Sequence, residues 1–225
     1  MYYPPNPPFP NRPLARSSNA RVMTVNGIGS VTASPDIANI EMGVVTRGEE
    51  LAQTQRENAK LIAQVTQALL DSGIEQSNIQ TSDYYIYPQY DYVDGQQEFK
   101  GYQVTHMLSI TIDNLEQTGQ IIDTAVQNGV NRVANIQFTI QHPEDLYEEA
   151  LSKALENALS KAQTMAQTMN LQLDISPLSI TERVTQSPGA YQTLAKSEAV
   201  AGAATQVEPG QLSINAQVEV KFPYV

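Results

Sequence analysis

Apolar and polar residues alternate along several stretches of the chain, and this alternation predicts β-strands with one apolar face. Two such stretches flank the turn signal Ser34-Pro35-Asp36, and we predict that they pair as a β-hairpin. Their apolar positions are Met23, Val25, Val31 and Ala33 before the turn and Ala38, Ile40, Met42 and Val44 after it. The most regular alternation comes late in the chain, at Leu212, Ile214, Ala216, Val218, Val220 and Phe222. It predicts a strand that is buried on one side.

A second hairpin is predicted between residues 79 and 112. Its first strand, residues 79–92, is rich in tyrosine, and aromatic residues favour strands. Asp94-Gly95 is a turn signal, and strict alternation returns over residues 102–112. Two further strands are predicted over residues 134–140 and 173–184.

Three other segments have the spacing of amphipathic helices. The first, residues 49–72, ends before Gly73, because glycine is favoured just after a helix. Its predicted buried positions are Leu51, Ala59, Ile62, Val65 and Leu69. Asp113 with Glu116 resembles a capping box for a short second helix, which Gly129 ends.

The longest predicted helix carries a stripe of small residues. It begins at His142-Pro143-Glu144, where the missing N–H of proline leaves no helical hydrogen bond unmade. Alanine then recurs at every fourth position, at Ala150, Ala154, Ala158, Ala162 and Ala166. Because alanine is small, such a stripe lets a helix lie close to its neighbour.

The predicted elements follow the order β-β-α-β-β-α-β-α-β-β. This order predicts an α+β fold in which an antiparallel-rich mixed sheet carries helices packed on one face. On three strands the second face carries mostly uncharged polar residues: Gln103, Thr105, Ser109 and Thr111; Asn135, Gln137 and Thr139; and Gln211, Ser213, Asn215 and Gln217. A solvated face and a face covered by another subunit both fit this pattern.

The glycine-rich stretch Asn26-Gly27-Ile28-Gly29-Ser30 lies within the first predicted strand. A phosphate-binding loop leads into a helix whose N-terminus receives the anion, and no helix follows here. We therefore interpret the glycines as a β-bulge or a close backbone approach.

Two segments show neither the alternation of a strand nor the spacing of a helix. Residues 1–20 hold six of the 13 prolines and are predicted to form a disordered arm ahead of a single domain over residues 21–225. The arm is either a plain tail or a docking segment, with Tyr2, Tyr3 and Phe9 as candidate anchors for assembly or partner proteins. Residues 185–210, rich in Gly, Ala, Ser, Pro and Gln, are predicted to be a long mobile loop.

Composition excludes several classes of partner and site. The 225 residues carry a formal net charge of -11, and the basic residues are scattered, so nucleic acid is not an expected partner. The chain has no cysteine, which excludes disulfides, a thiolate nucleophile and cysteine-ligated metals. Nucleotide, P-loop and zinc-protease motifs are missing as well, so we predict no cofactor and no metal.

The sequence also bears on location. No apolar run approaches the roughly 18 residues that span a bilayer, so no transmembrane segment is predicted. The first residues lack the basic start and apolar stretch of a signal peptide. We therefore expect a cytoplasmic protein, with cell-surface or envelope association as the alternative.

The two histidines are the natural candidates for acid–base chemistry. His106 falls on the apolar face of its strand and is interpreted as a hydrogen-bonded core residue. His142 precedes a helix start that is rich in acids, namely Glu144, Asp145, Glu148 and Glu149. These acids could hold a divalent cation, but acids in a first helical turn are expected because they complement the helix dipole. A hydrolase that uses either histidine with a carboxylate is kept as an alternative.

A concentration of aromatic residues marks the second hairpin: Tyr84, Tyr85, Tyr87, Tyr90, Tyr92 and Phe99. Aromatic residues in strands usually serve packing. Alternation nevertheless puts some of them on the outer side near a turn, where they are candidates for subunit contacts or ligand binding.

Several of these segments together resemble the SIMPL-domain family. They are Val25-Asn26-Gly27-Ile28-Gly29, Ser34-Pro35-Asp36-Ile37-Ala38, Gly73-Ile74, Ile79-Gln80-Thr81, Gly101-Tyr102-Gln103-Val104, the alanine-stepped helix, and Glu208-Pro209-Gly210 before the final strand. Each piece is weak alone, but their order and spacing are fairly specific. The resemblance covers nearly all of the folded chain.

The resemblance implies an α+β fold, ring-like or channel-like homo-oligomers in some members, and no established enzymatic activity. It supplies no catalytic residues to carry over. We therefore expect a non-enzymatic homo-oligomeric structural or interaction protein that is linked to stress defence or the cell envelope. A monomeric ligand-binding module that uses the tyrosine hairpin is the second alternative. Many family members are exported behind a cleaved signal, and the proline-rich start of this chain departs from that pattern.

Overall fold

The computed structural model describes residues 21–183, 191–193, 205 and 207–225, with only the backbone for residues 191–193. The predicted arm, with Tyr2, Tyr3 and Phe9, lies outside the described residues. Most of the predicted loop 185–210 lies outside them too.

In chain order, the described residues form β1 (Arg21–Ala33), β2 (Ile37–Gly48), α1 (Leu51–Asp71), β3 (Ile79–Val93), β4 (Gln96–Ile112), α2 (Thr118–Gln127), β5 (Arg132–Thr139), α3 (Glu144–Thr168), β6 (Ser179–Glu182), β7 (Tyr191–Thr193) and β8 (Gln211–Tyr224). Short 3-10 turns at Gln76–Asn78 and Leu115–Gln117 precede β3 and α2. Among these elements, no helix is both long and apolar enough to cross a bilayer.

The strands form two antiparallel sheets. Sheet A has the order β1-β8-β6, with β7 also paired to β8, and α3 packs on β1 and β8. Sheet B has the order β3-β4-β2-β5, and α1 packs on β2 and β4. The predicted α+β class is therefore confirmed. The element order matches apart from β7, which lies within the predicted loop 185–210, and the strands form two sheets where one was predicted.

The first predicted hairpin is wrong. β1 pairs with β8 from Arg21↔Tyr224 to Ala33↔Leu212, whereas β2 pairs with β4 and β5. The link between β1 and β2 contains Pro35, and the apolar faces of the two strands pack on different helices. Alternation identifies the buried face of a strand but not the strand beside it.

The alanine stripe of α3 lies close to its neighbour, as predicted, and that neighbour is β1. All five stripe alanines are at most 3% exposed. A Cβ at Gly27 would lie 2.0 Å from the Ala154 carbonyl oxygen, and one at Gly29 would lie 2.0 Å from that of Ala150. The close-approach interpretation of the two glycines is confirmed. Small residues on both elements let the helix contact the strand backbone.

The core of sheet B differs from the prediction in one half of α1. The last three predicted positions are buried, namely Ile62, Val65 and Leu69. In the first half, Thr54 and Asn58 are buried, whereas Leu51 and Ala59 are exposed.

The ends of the first two helices follow glycine and capping rules. Gly73 and Gly129 have φ of +92° and +120°, a conformation that glycine adopts readily. The cap before α2 is Asn114 and not Asp113, because the Asn114 side chain accepts the N–H of Glu116 at 3.2 Å.

Candidate interaction surfaces

β3 and β4 form a long hairpin with a two-residue turn. Asp94 and Gly95 have φ of +51° and +79°, and Val93 pairs with Gln96 across the turn. Positive φ at both central positions is the geometry of a type I′ turn, for which Asp-Gly is favoured. The second predicted hairpin is therefore confirmed.

The tip of this hairpin extends beyond the rest of sheet B. β2 pairs with β4 only as far as Gly48↔Tyr102. In the described part of the chain, residues 89–101 therefore form two strands with no third strand beside them, and we call this segment the ribbon. A two-stranded ribbon without a packed face is marginally stable in water. The ribbon is thus a segment that gains from a partner.

The structure places all six predicted aromatic residues on this hairpin, namely Tyr84, Tyr85, Tyr87, Tyr90, Tyr92 and Phe99. Five of them are between 46 and 73% exposed, and Tyr85 is half-buried. Successive side chains of a strand point to opposite faces, so Tyr84 lies on one face and Tyr85 with Tyr87 on the other. The aromatic surface therefore covers both sides of the hairpin.

Neighbouring aromatic rings contact each other along the hairpin. The ring centroids lie 5.7 Å apart for Tyr90 and Phe99, 5.2 Å for Phe99 and Tyr102, and 5.0 Å for Tyr85 and Tyr87. The first two pairs are edge-to-face, an arrangement that contributes about 0.5–1.5 kcal/mol per pair. These contacts order the side chains and leave much of each ring accessible.

Gly101 fixes the base of the ribbon. Its φ is +126°, and a Cβ there would lie 2.4 Å from the Gly48 carbonyl oxygen. Both the conformation and the contact require glycine, so β4 passes tightly over the end of β2 where the ribbon begins.

His106 lies half-buried on the face of β4 that packs on α1. Its Nε2 is 3.1 Å from the Thr81 hydroxyl, and its ring contacts Tyr84 edge-on at 5.1 Å between centroids. The Tyr84 hydroxyl in turn accepts a hydrogen bond from Gln55 Nε2 at 3.0 Å. Desolvation by burial lowers the pKa of His106, which favours the neutral imidazole. Its described partners are a hydroxyl and an aromatic ring, and a carboxylate is not among them.

His142 is exposed before the first turn of α3, where Glu144 and Asp145 lie. Within the described ranges, no group of three or more His, Asp or Glu side chains could hold a metal ion. The two histidines lie on different elements, β4 and the start of α3, and the structure does not bring them into one site.

Sequence reasoning missed a buried polar cluster between α1 and sheet B. Asn58 Nδ2 donates to the carbonyl oxygens of Val44 at 3.0 Å and Val104 at 3.3 Å. The Thr46 hydroxyl donates to the Thr54 carbonyl oxygen at 3.0 Å. Thr54 and Asn58 precede the apolar positions of α1 in the same helical register, and that register was the available signal. The cluster fixes the first half of α1 on the sheet.

A family model described as SIMPL, protein of unknown function (DUF541), matches residues 23–222. The 26 kDa periplasmic immunogenic protein of Brucella melitensis is 29% identical over 149 residues, which cover 64% of this chain and 59% of that protein. The uncharacterized protein YggE of Escherichia coli K12 is 25% identical over 128 residues, which cover 57% of this chain and 52% of that protein. The chain therefore spans between half and two thirds of the length of these relatives.

Proposed function

Because the chain belongs to the SIMPL family, we propose that it is a non-enzymatic, homo-oligomeric structural or interaction protein whose aromatic hairpin forms contacts between copies. The observation that carries this proposal is the ribbon, a two-stranded segment that presents exposed aromatic rings beyond the edge of sheet B. Tyrosine and phenylalanine are enriched in protein interfaces, where they bury a large area with few rotatable bonds.

The area of the exposed aromatic surface limits the free energy that the hairpin can contribute to association. Tyr87, Tyr90, Tyr92 and Phe99 are between 48 and 73% exposed. Covering all four would remove about 400 Å² from water, which corresponds to roughly 10 kcal/mol of gross stabilisation. Association itself opposes binding by an estimated 4–15 kcal/mol or so. A hairpin contact alone is therefore weak, and a stable assembly needs at least one further surface.

The proposal also includes the cellular location of such an assembly. The name of the Brucella relative places that protein in the periplasm, which supports an association with the cell envelope here. A ring-like or channel-like form and a link to stress defence rest on the family resemblance.

Two features favour assembly over catalysis. The described partners of His106 are Thr81 and Tyr84, which hold the ring but do not activate it. The matching family model describes a protein of unknown function, and the relatives compared above carry no enzyme name.

The exposed rings also favour a second candidate, a monomeric module that binds a ligand on the hairpin. Both candidates use the same residues, but they predict different masses in solution. Measuring the mass of the particle therefore separates them.

The ribbon contact is tested by replacing Tyr90, Tyr92 and Phe99 with serine and measuring molar mass by light scattering at micromolar concentration. We expect the wild-type chain to be oligomeric and the triple variant to have a lower mass. The free energy of unfolding should fall by no more than about 1–3 kcal/mol, because the variant removes two edge-to-face aromatic pairs within the hairpin.

A matched control replaces Ile175 and Leu178 with serine. Both side chains are exposed apolar residues outside the hairpin, between α3 and β6. This control should keep the wild-type mass. A triple variant that assembles like the wild type would refute the contact assigned to the ribbon.

A further inference from the structure

Sheet A has a face that points away from α3, and its charged side chains lie at one end, at Glu219 and Lys221 of β8 with Arg183 beside them. On β1 and β8, Met23, Val25 and their alternate neighbours face α3. The residues between them point to the other side of the sheet. Over residues 24–32 and 211–217 the outward side chains are Thr24, Asn26, Ile28, Ser30, Thr32, Gln211, Ser213, Asn215 and Gln217. None of the nine is ionisable, and we call this set the neutral face.

One apolar side chain lies in the middle of the neutral face. Ile28 is 62% exposed and is flanked along β1 by Asn26 and Ser30. Its cross-strand neighbour on β8 is Gln217. An isoleucine at the centre of a polar sheet face gains free energy if another surface covers it.

The charge of the whole chain favours self-contact at this face. Two copies with a net charge of -11 repel each other, and the repulsion is least where their contacting surfaces carry no acids. The neutral face has no acid of its own, and the acid beside it, Glu219 opposite Asn26, lies next to the two cations Arg183 and Lys221. The carboxylate nearest to it on β8, Glu219, is paired with Arg183, and this ion pair lowers the pKa of Glu219.

The polar groups of the neutral face already bond to each other. The hydroxyls of Ser30 and Ser213 lie 2.9 Å apart, and the Ser213 hydroxyl donates to Asn215 Oδ1 at 3.4 Å. Polar groups that keep hydrogen bonds on burial lose less free energy than unpaired ones. Covering this surface is therefore less unfavourable than its polarity suggests.

Side chains from α3 occupy the free edge of β1. Asn157 Oδ1 accepts the backbone N–H of Ile28 at 3.1 Å, and Lys161 Nζ donates to the Asn26 carbonyl oxygen at 2.8 Å. A second chain cannot add a strand at these positions without displacing both side chains. Contact with another copy at this end of sheet A is therefore face to face.

From these observations we infer that the neutral face packs against the neutral face of a second copy, with the two Ile28 side chains near the twofold axis. The inference rests on the proposed function and supplies the further contact surface that the hairpin requires. A contact of this kind is isologous and joins copies in pairs. With the hairpin as a different contact on the same subunit, pairs can be linked into a larger closed assembly.

The test uses two charge variants, Ile28→Lys and Ile28→Glu, whose masses are measured separately and after mixing. Each variant alone should have a mass lower than the wild type by about twofold or more, because two like charges meet across the axis. The lysine variant has a smaller net negative charge than the wild type, so a loss of assembly cannot come from stronger overall repulsion. An equimolar mixture should regain the wild-type mass, since opposite charges then meet.

Ile180→Lys is the matched control, because Ile180 is 53% exposed on β6 of the same sheet but lies outside the neutral face. It should assemble like the wild type. Ile28→Gln introduces no charge and should weaken association about tenfold. It keeps the test valid if the charged variants do not fold.

The outcomes separate this inference from the proposed function. A wild-type chain that is monomeric would overturn both. If the wild type assembles and the ribbon variant does not, but both Ile28 charge variants keep the wild-type mass, only the neutral-face contact is wrong.

Discussion

His106 is the histidine whose surroundings give it a pH-dependent effect on stability. Burial lowers its pKa below the ordinary value of about 6.5, and Thr81, Tyr84 and Gln55 line its surroundings on β3 and α1. The folded state therefore binds fewer protons at this residue than the unfolded state does. Its contribution to stability is complete above pH 6.5 or so and is lost as the pH falls through the folded pKa.

This linkage predicts a specific pH dependence of melting. Between pH 7.5 and pH 5, the melting temperature of the wild type should fall by more than that of His106→Gln, which cannot gain the proton. His142→Gln, which removes a histidine but keeps His106, is the control variant. Thermal melts at several pH values compare the three chains, and equal slopes for wild type and His106→Gln would refute this role.

Asn58 is a buried polar residue that the helical spacing of apolar residues did not identify. Helical spacing placed apolar residues in the core, but a polar residue is buried where its side chain finds backbone carbonyls, and the Val44 and Val104 carbonyls come from different strands. Only the folded arrangement of β2 and β4 brings those two carbonyls to one helix face.

The pairing of α3 with β1 shows what element patterns do predict. The stripe of alanines predicted a close helix contact, and Gly27 with Gly29 predicted a close backbone approach. The structure confirms both and adds that these two patterns face each other. The sequence did not reveal this pairing, because α3 and β1 are separated by about half of the chain.

Gly29→Ala tests the tightness of this contact. Its Cβ would lie 2.0 Å from the Ala150 carbonyl oxygen and 2.5 Å from the Ala154 nitrogen, so helix and strand must separate. We expect a loss of roughly 2–3 kcal/mol in the free energy of unfolding, measured by urea denaturation. Thr24→Ser, on the exposed side of β1, should change it by less than about 0.5 kcal/mol. A Gly29→Ala protein as stable as the wild type would contradict the close packing.

The two predicted hairpins show that a turn signal does not by itself identify the pairing partner of a strand. Asp94-Gly95 fits the type I′ turn that joins β3 to β4 directly, so its signal was local and correct. Ser34-Pro35-Asp36 is also a turn signal, yet β1 and β2 diverge there into different sheets. A turn sequence shows that the chain changes direction, but the partner of each strand depends on distant residues such as those of β8.

For the molecule as a whole, the fold class and element order followed from periodicity, and the division into two sheets did not. Helices cover one face of each sheet, which leaves the outward face of sheet A and the ribbon as surfaces for contact. The aromatic residues of the hairpin were identifiable from sequence. The neutral face was visible there only as polar alternation, because the exposure of Ile28 depends on the pairing of β1 with β8.

The central claim is that this chain assembles with itself, and the most direct measurement is its mass in solution by sedimentation equilibrium over a range of micromolar concentrations. The account predicts a particle of several subunits, with a mass that is a multiple of 24.7 kDa and falls on dilution. A particle of one subunit at every concentration would contradict it.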